Sequence, residues 1–355
     1  MPDYNKLVEE LITFLVSQTG SDIHLSSGRK PSIRVAGQLL VLVNNEPFSQ
    51  EAMLGILEVL IGKEKTELFI KNKEADFAFT STGNGKHRLR GNAFFQREKI
   101  SIVMRLIPKT ETFQSLNLPD ILQDLSLKQQ GFFLVVGPVG QGKSTTMSAM
   151  INYINQQKAT HIVTIEDPIE FVHFDERSII DQREVGIDTK SFESALSSVF
   201  REDVNVIMIG EMRNPETIAA AVTAAETGHL VISTLHTNTA SQTIDRIIDT
   251  FPATQQDQIR IQLANSLLGV FSQRLIPRIS GGLIPAYALM INNDAIGNLI
   301  REKRTHEIDV VIETSSQLGM IDMNRSLLEL VRKGEITIES AYQYSFNPKS
   351  LEQLL

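Results

Sequence analysis

The chain has 355 residues, 42% of them hydrophobic and 21% charged, with a formal net charge of −8 and no cysteine. That length holds two ordinary domains or one large one, each with ample core. The lack of cysteine excludes a disulfide framework, a thiolate zinc site and a cysteine nucleophile. The acidic balance argues against a broad nucleic-acid-binding surface and leaves room only for a local basic channel. The opening MPDYNKLVEELITFLV sets Asp3, Glu9 and Glu10 among its apolar positions, unlike a signal peptide, and no apolar run reaches the length of a membrane-spanning helix. The expectation is a cytoplasmic protein with no direct membrane span.

Leu7, Leu11, Phe14 and Leu15 recur at helical spacing, so residues 4–18 are predicted as an amphipathic helix. The alternating stretch from Ser21 to Gly28 predicts a strand and a turn. Pro31 to Val43 predicts a hairpin around Ala36-Gly37. Residues 50–72 return to helical periodicity. Strands are predicted at 76–79, 86–95 and 100–107, the first two joined through Gly83-Asn84-Gly85. Helices with several antiparallel strands make residues 1–109 an α+β domain. Arg88, Arg90, Arg97 and Arg105 lie on or beside two of those strands, with Arg88 and Arg90 on one face. They read first as a solvated, charged sheet face, and second as arginines that reach a phosphate held by another subunit.

Residues 110–118 are polar and are predicted as an extended interdomain linker closed by Pro119, ahead of a second domain over 119–355. A helix from Ile121 to Leu127 leads into Gly131–Thr146, GFFLVVGPVGQGKSTT. Phe132 to Val136 is short and apolar enough for one buried strand. Gly137 to Ser144 fits G-x-x-x-x-G-K-[ST], the phosphate-binding loop, between a strand and a helix. Gly137, Pro138, Val139, Gly140, Gln141, Gly142, Lys143, Ser144 and Thr145 are the candidate cradle for ATP. Backbone N–H groups turn inward, and the helix offers its positive end to the same anion. Lys143 would reach the β- and γ-phosphates and Ser144 would ligate Mg²⁺.

Short apolar runs at 161–165, 206–210 and 230–234 alternate with helical stretches, which predicts a parallel sheet covered on both faces. Beyond it helices are expected at 255–275, 295–302, 308–313, 325–333 and 338–344. Ligands in such sheets sit beyond the carboxyl ends of the strands. The first strand is followed by Glu166-Asp167-Pro168-Ile169-Glu170, either a surface acidic turn or a carboxylate poised to orient the attacking water. The second ends in Gly210-Glu211, where an acid that holds Mg²⁺ directly or through water is expected. His229 and His236 bracket the third, too sparsely supported by other ligands for a metal site, and one of them could sense the γ-phosphate.

Taken together, GPVGQGKSTT, TIEDPIEFVH, VIMIGEMR and AETGHLVISTLHTNTA resemble the Walker A, Asp, Walker B and His boxes of the secretion ATPase superfamily. SDIHLSSG, REVG and AIGNLIRE are similar to its type IV pilus retraction motors, and the likeness runs from about residue 4 to about residue 345. The resemblance implies an α/β chain with a PAS-like N-terminal domain, a RecA-like ATPase domain with a mostly parallel sheet, and a helical C-terminal region. It implies a homo-hexameric ring at the inner face of the cytoplasmic membrane, acting with a pilus platform protein and with a related pilus ATPase as a further candidate partner. It also implies that Glu170 activates water, that Glu211 acts with Ser144 around Mg²⁺, that His229 stands near the γ-phosphate, and that Arg88, Arg90 or Arg105 enter an active site. An accessory retraction ATPase, a secretion-system ATPase and a slowly hydrolysing assembly protein are the alternatives. The chain departs from the family at Val139, Gln141 and Val204, and at Gly297 in AIGNLIRE, where an arginine is common.

Overall fold

A computed structural model describes residues 3–83, 86–107 and 110–354. The chain divides into two compact units, Met1–Lys109 and Thr110–Leu355.

The first unit runs α1 (Tyr4–Ser17), β1 (Gly20–Ser26), β2 (Ser32–Val35), β3 (Gln38–Val41), α2 (Gln50–Ile61), α3 (Lys63–Asn72), β4 (Glu74–Thr80), β5 (Arg88–Gln96) and β6 (Lys99–Leu106). Its strands form one antiparallel sheet in the order β3-β2-β1-β6-β5-β4. Asp3 accepts a hydrogen bond from the Lys6 N–H and caps α1, whose Val8, Leu11, Ile12 and Leu15 then face the sheet core. Ala36 and Gly37 both take positive φ (47° and 82°), as a two-residue hairpin turn requires. The single helix expected over 50–72 is two, because Gly62 (φ 80°, ψ 163°) leaves the helical region between them. Within the expected turn at Gly83-Asn84-Gly85, Asn84 and Gly85 lie outside the described residues.

The second unit runs α4 (Ile121–Ser126), β7 (Gly131–Val136), α5 (Lys143–Gln157), β8 (His161–Glu166), β9 (Ile179–Glu184), α6 (Phe192–Val199), β10 (Val206–Ile209), α7 (Pro215–Glu226), β11 (Leu230–Leu235), α8 (Ala240–Asp249), α9 (Ala253–Ser266), β12 (Leu267–Pro277) and β13 (Leu283–Ile291). It ends in α10 (Asp294–Arg301), α11 (Ile308–Thr314), α12 (Met323–Arg332), α13 (Ile338–Tyr344) and α14 (Pro348–Leu354). The sheet order is β13-β12-β7-β11-β10-β8-β9, parallel throughout except for β13. Alternate residues of β7 enter opposite cores: Phe132, Leu134 and Val136 pack with α6 to α11, while Phe133 and Val135 pack with α4 and α5. That two-sided burial is why β7 reads as an uninterrupted apolar run.

Two expectations are corrected here. Residues 110–118 are no extended linker: Phe113 and Leu118 are buried in the α4–α5 core, Phe113 edge-on to Tyr153, and the Leu118 N–H returns to the Phe113 carbonyl. The helix expected over 255–275 ends at Ser266, and the chain continues as β12, because Leu267, Val270 and Phe271 are buried where a strand between β7 and β13 needs them. The edge strands β9 and β13 carry no sequence expectation at all.

Candidate active site

The carboxyl ends of β7, β8, β10 and β11 converge on one cavity of about 200 Å³, and the loops after them line it with Lys143, Ser144, Glu166, Glu170, Glu211 and His236. This is the position the strand-end rule designates for ligands in open parallel sheets.

The cradle begins where β7 ends. Gly137 (φ 149°), Gly140 (φ 77°) and Gly142 (φ 77°) let the chain turn, and Gly142 opens α5 with no side-chain cap, so its first N–H groups stay available to an anion. A Cβ on Gly137 would stand 2.4 Å from the Gln273 carbonyl oxygen, so no other residue fits against β12. The loop is braced there by amides. Gln273 Nε2 donates to the Gln141 carbonyl (2.7 Å), Thr146 Oγ1 donates to Gln273 Oε1 (2.6 Å), and the Leu275 N–H donates to Gln141 Oε1 (2.7 Å). Lys143 Nζ donates to the carbonyls of Gly137 (2.9 Å) and Pro138 (2.8 Å). Burial lowers its pKa, against which the carboxylates of Glu170 and Glu211 act in the opposite direction.

Opposite the cradle stand the acids. Glu211 follows β10, pairs with Arg213 and lies 3.7 Å from His236 Nε2. His236 Nδ1 lies 3.3 Å from Lys143 Nζ, so the imidazole stands between Lys143 and Glu211. Glu166 ends β8 and is buried. Burial pushes its carboxyl up to about 7, offset in part by hydrogen bonds from Thr164, the Glu170 N–H and Gln182, and reinforced by the Glu170 charge. His173, also in the lining, is held neutral by burial, its pKa lowered to about 4. Glu170 itself is exposed to the cavity.

The structure thus brings Lys143, Ser144, Glu170 and Glu211 together. It does not bring His229. That residue precedes β11, at the end of the strand away from the cavity, where Nδ1 meets the Ala224 carbonyl (3.0 Å) and the ring stands edge-on to Phe200. Within one chain His236 occupies the place expected of His229. Taking the residue after the strand rather than before it would have selected His236. Gln182 and Gln273 are further residues around the cavity that carry no sequence-based assignment, and the sequence marks Glu166 only as one of the three acids of its stretch.

In the first unit, Arg90 pairs in register with Arg105, and Arg105 with Asp22, on the face that the helices leave uncovered. Arg105 Nε donates to Asp22 Oδ1 (2.8 Å), and Arg88 donates to Thr80 Oγ1 (3.0 Å). Burial would raise the Asp22 pKa, but hydrogen bonds from Ser21 and Arg105 and the Arg105 charge hold it below the ordinary value. Arg97 is not on this face: with Glu98 it forms the positive-φ turn between β5 and β6.

No helix among the described residues is long and apolar enough to cross a membrane. The profile of the "Type II/IV secretion system protein" family matches residues 4–282. The chain is 42% identical over 344 residues to the type IV pilus retractation ATPase PilT of Pseudomonas aeruginosa, across 97% of this chain and 99% of that protein. It is 43% identical over 323 residues to a twitching motility protein of Neisseria gonorrhoeae, across 90% and 86% of the two. A crystal structure of the pilus retraction motor PilT with bound ADP matches it with a TM-score of 0.89 and 43% identity, covering 98% of this chain and 99% of the other. With a phosphate cradle and facing acids on a mostly parallel sheet, and with relatives matched from end to end, the chain belongs to the type II/IV secretion system protein family.

Proposed function

We propose that this ATPase converts ATP hydrolysis into the retraction of a type IV pilus. The convergence of Lys143, Ser144, Glu170 and Glu211 in one cavity carries the chemical part of the reading. Likeness over nearly the whole length to a retraction ATPase carries the biological part.

Lys143, released from the Gly137 and Pro138 carbonyls, binds the β- and γ-phosphates, while the open end of α5 and the loop N–H groups hold the remaining phosphate oxygens. Glu170 faces the cavity and accepts a proton from, or orients, the attacking water. His236 links Lys143 to Glu211, so a change at the γ-phosphate is felt on both sides of the cavity. The donor set fits Mg²⁺: one hydroxyl and one carboxylate, Ser144 and Glu211, with no larger histidine and carboxylate cluster among the described residues. When bound, Mg²⁺ neutralises phosphate charge.

The machine works as a homo-hexameric ring on the cytoplasmic side of the membrane, against a platform protein of the pilus base. A head-to-tail contact that closes on itself generates such a ring. Arg88, Arg90 and Arg105, on the face left bare by α1 to α3, complete a neighbouring subunit's site. Replacing all three by alanine should depress turnover roughly a hundredfold or more while the ring stays assembled. Wild-type rates in the assembled variant would return them to a solvated charged face.

Pilus retraction in a strain lacking the gene, complemented by wild type or by Gly297→Arg, tests the reading. An ideal Cβ at Gly297 has its nearest neighbours, the Ala264 carbonyl and the Arg301 guanidinium, at 3.6 Å, an ordinary van der Waals contact. Wild type is expected to restore retraction. Restoration by neither form, while the purified chain hydrolyses ATP, would overturn the pilus assignment and leave the ATPase.

A further inference from the structure

One side chain beside the cavity spends its whole amide on the segment that carries Glu170. Gln182 lies on β9, the outermost strand, in register with Thr164 of β8. Its Nε2 donates to the Phe171 carbonyl (2.8 Å) and to Glu166 Oε1 (3.2 Å), and its Oε1 accepts from the His173 N–H (2.8 Å). The amide has one workable orientation, since a flip would set nitrogen against an N–H and oxygen against a carbonyl and a carboxylate. Glu166 completes the hold: Oε1 accepts from Thr164 Oγ1 (2.7 Å) and Oε2 from the Glu170 N–H (3.3 Å).

The segment itself alternates. Ile169, Phe171 and His173 are buried, while Glu170 between them is turned out to the cavity. Tying the 171 carbonyl and the 173 N–H to β9 fixes the chain immediately after Glu170, and Gln182 does so from outside the segment. Apart from Gln182 and the Glu166 that it touches, the hold includes an Ile169 N–H bond to Glu184 Oε2 at 3.2 Å, also from β9.

We propose that Gln182 is a positioning residue for ATP hydrolysis, acting through Glu170 by tying the 171 and 173 backbone to β9. The inference rests on the reading of Glu170 as the group that handles the attacking water. Gln182 touches none of the phosphate-loop residues, so its loss should fall on turnover and not on nucleotide binding. Displacement of a reacting group by an ångström costs up to about a hundredfold in rate.

The test is steady-state hydrolysis by the purified full-length chain carrying Gln182→Met, which keeps length and removes every hydrogen bond, beside Gln182→Asn, Glu170→Gln and the Gln182→Met/Glu170→Gln double variant. Gln182→Met should lower kcat by about 10- to 100-fold, with KM and the Kd for a fluorescent ATP analogue within about twofold. The double variant should be no slower than Glu170→Gln alone, because the two act as one unit. A kcat within about twofold of wild type in Gln182→Met, with Glu170→Gln inactive, overturns the inference and leaves the role of Glu170 standing. Wild-type turnover in Glu170→Gln removes the role of Glu170 and the inference with it. Should Gln182→Met fail to fold, Gln182→Asn, which retains the groups but is one methylene too short to reach both ends, carries the same expectations.

Discussion

The cradle side of the cavity is built into the middle of the sheet, whereas the segment that carries Glu170 is held from its edge. The phosphate loop leaves β7, which has a strand on either flank, and is pressed so closely on β12 that Gly137 has no room for a Cβ. The Glu170 segment leaves β8 and is held by side chains of β9, a strand with one neighbour and an exposed Ile179. Backbone packing on β12 together with the Gln141 and Gln273 amides sets the first side, and side chains of β9 with Glu166 set the second. The difference teaches where each part of the reaction is controlled. Substitutions that loosen the cradle should appear in binding, and substitutions that loosen the edge should appear in turnover.

The sides also differ in what they titrate. Glu166 carries a proton with a pKa of about 7 in the folded chain, against an ordinary value of 4.5. The folded state therefore binds this proton more readily than the unfolded one between those values, and stability falls as pH rises through that window. His173 does the reverse, since its folded pKa of about 4 against 6.5 makes stability fall as pH falls. The two slopes oppose each other in the wild type. Glu166→Gln removes one of them, so the variant should gain about 3 kcal/mol relative to wild type between about pH 4.5 and 7. Urea unfolding of both proteins across that range measures it. A difference between them that does not change with pH would show that Glu166 ionises normally in the fold.

Much of this architecture was legible in the residues, and the failures have physical causes. The cradle was readable because its glycines, lysine and serine answer to one geometry at one spacing. Strands β8, β10 and β11 were readable because parallel strands buried on both faces are plain apolar runs. The edge strand β9 hides because one-sided pairing tolerates Asp181, Gln182, Arg183 and Glu184. The strand β12 hides because QIRIQLANSLLGVF keeps a helical rhythm up to Ser266 and then passes into an apolar run that periodicity alone cannot assign. Gly269, where a Cβ would stand 2.5 Å from the Met290 carbonyl, is the residue that marks the change. The hold of Gln182 on residues 171 and 173 had no local signal, because it exists only once β9 lies beside β8.

The smallest effect is expected on the cradle side, at Gln141. The pairing of β12 with β7 ends at Ser272 and Val136, so Leu275 lies beyond the ladder on that side of β12. The Leu275 N–H is satisfied by the Gln141 side chain instead, while the Gln141 backbone carbonyl takes the amide of Gln273. Gln141→Ala leaves the second bond in place and removes the first, at a cost of about 1 kcal/mol of stability for one partly buried N–H. Because the loop remains pinned through Gln273 and Thr146, KM for ATP should rise only about two- to fivefold and kcat should stay within about twofold. A fall in kcat with KM unchanged would place control of turnover on the cradle side as well. The division between a binding side at the centre of the sheet and a catalytic side at its edge would then not hold.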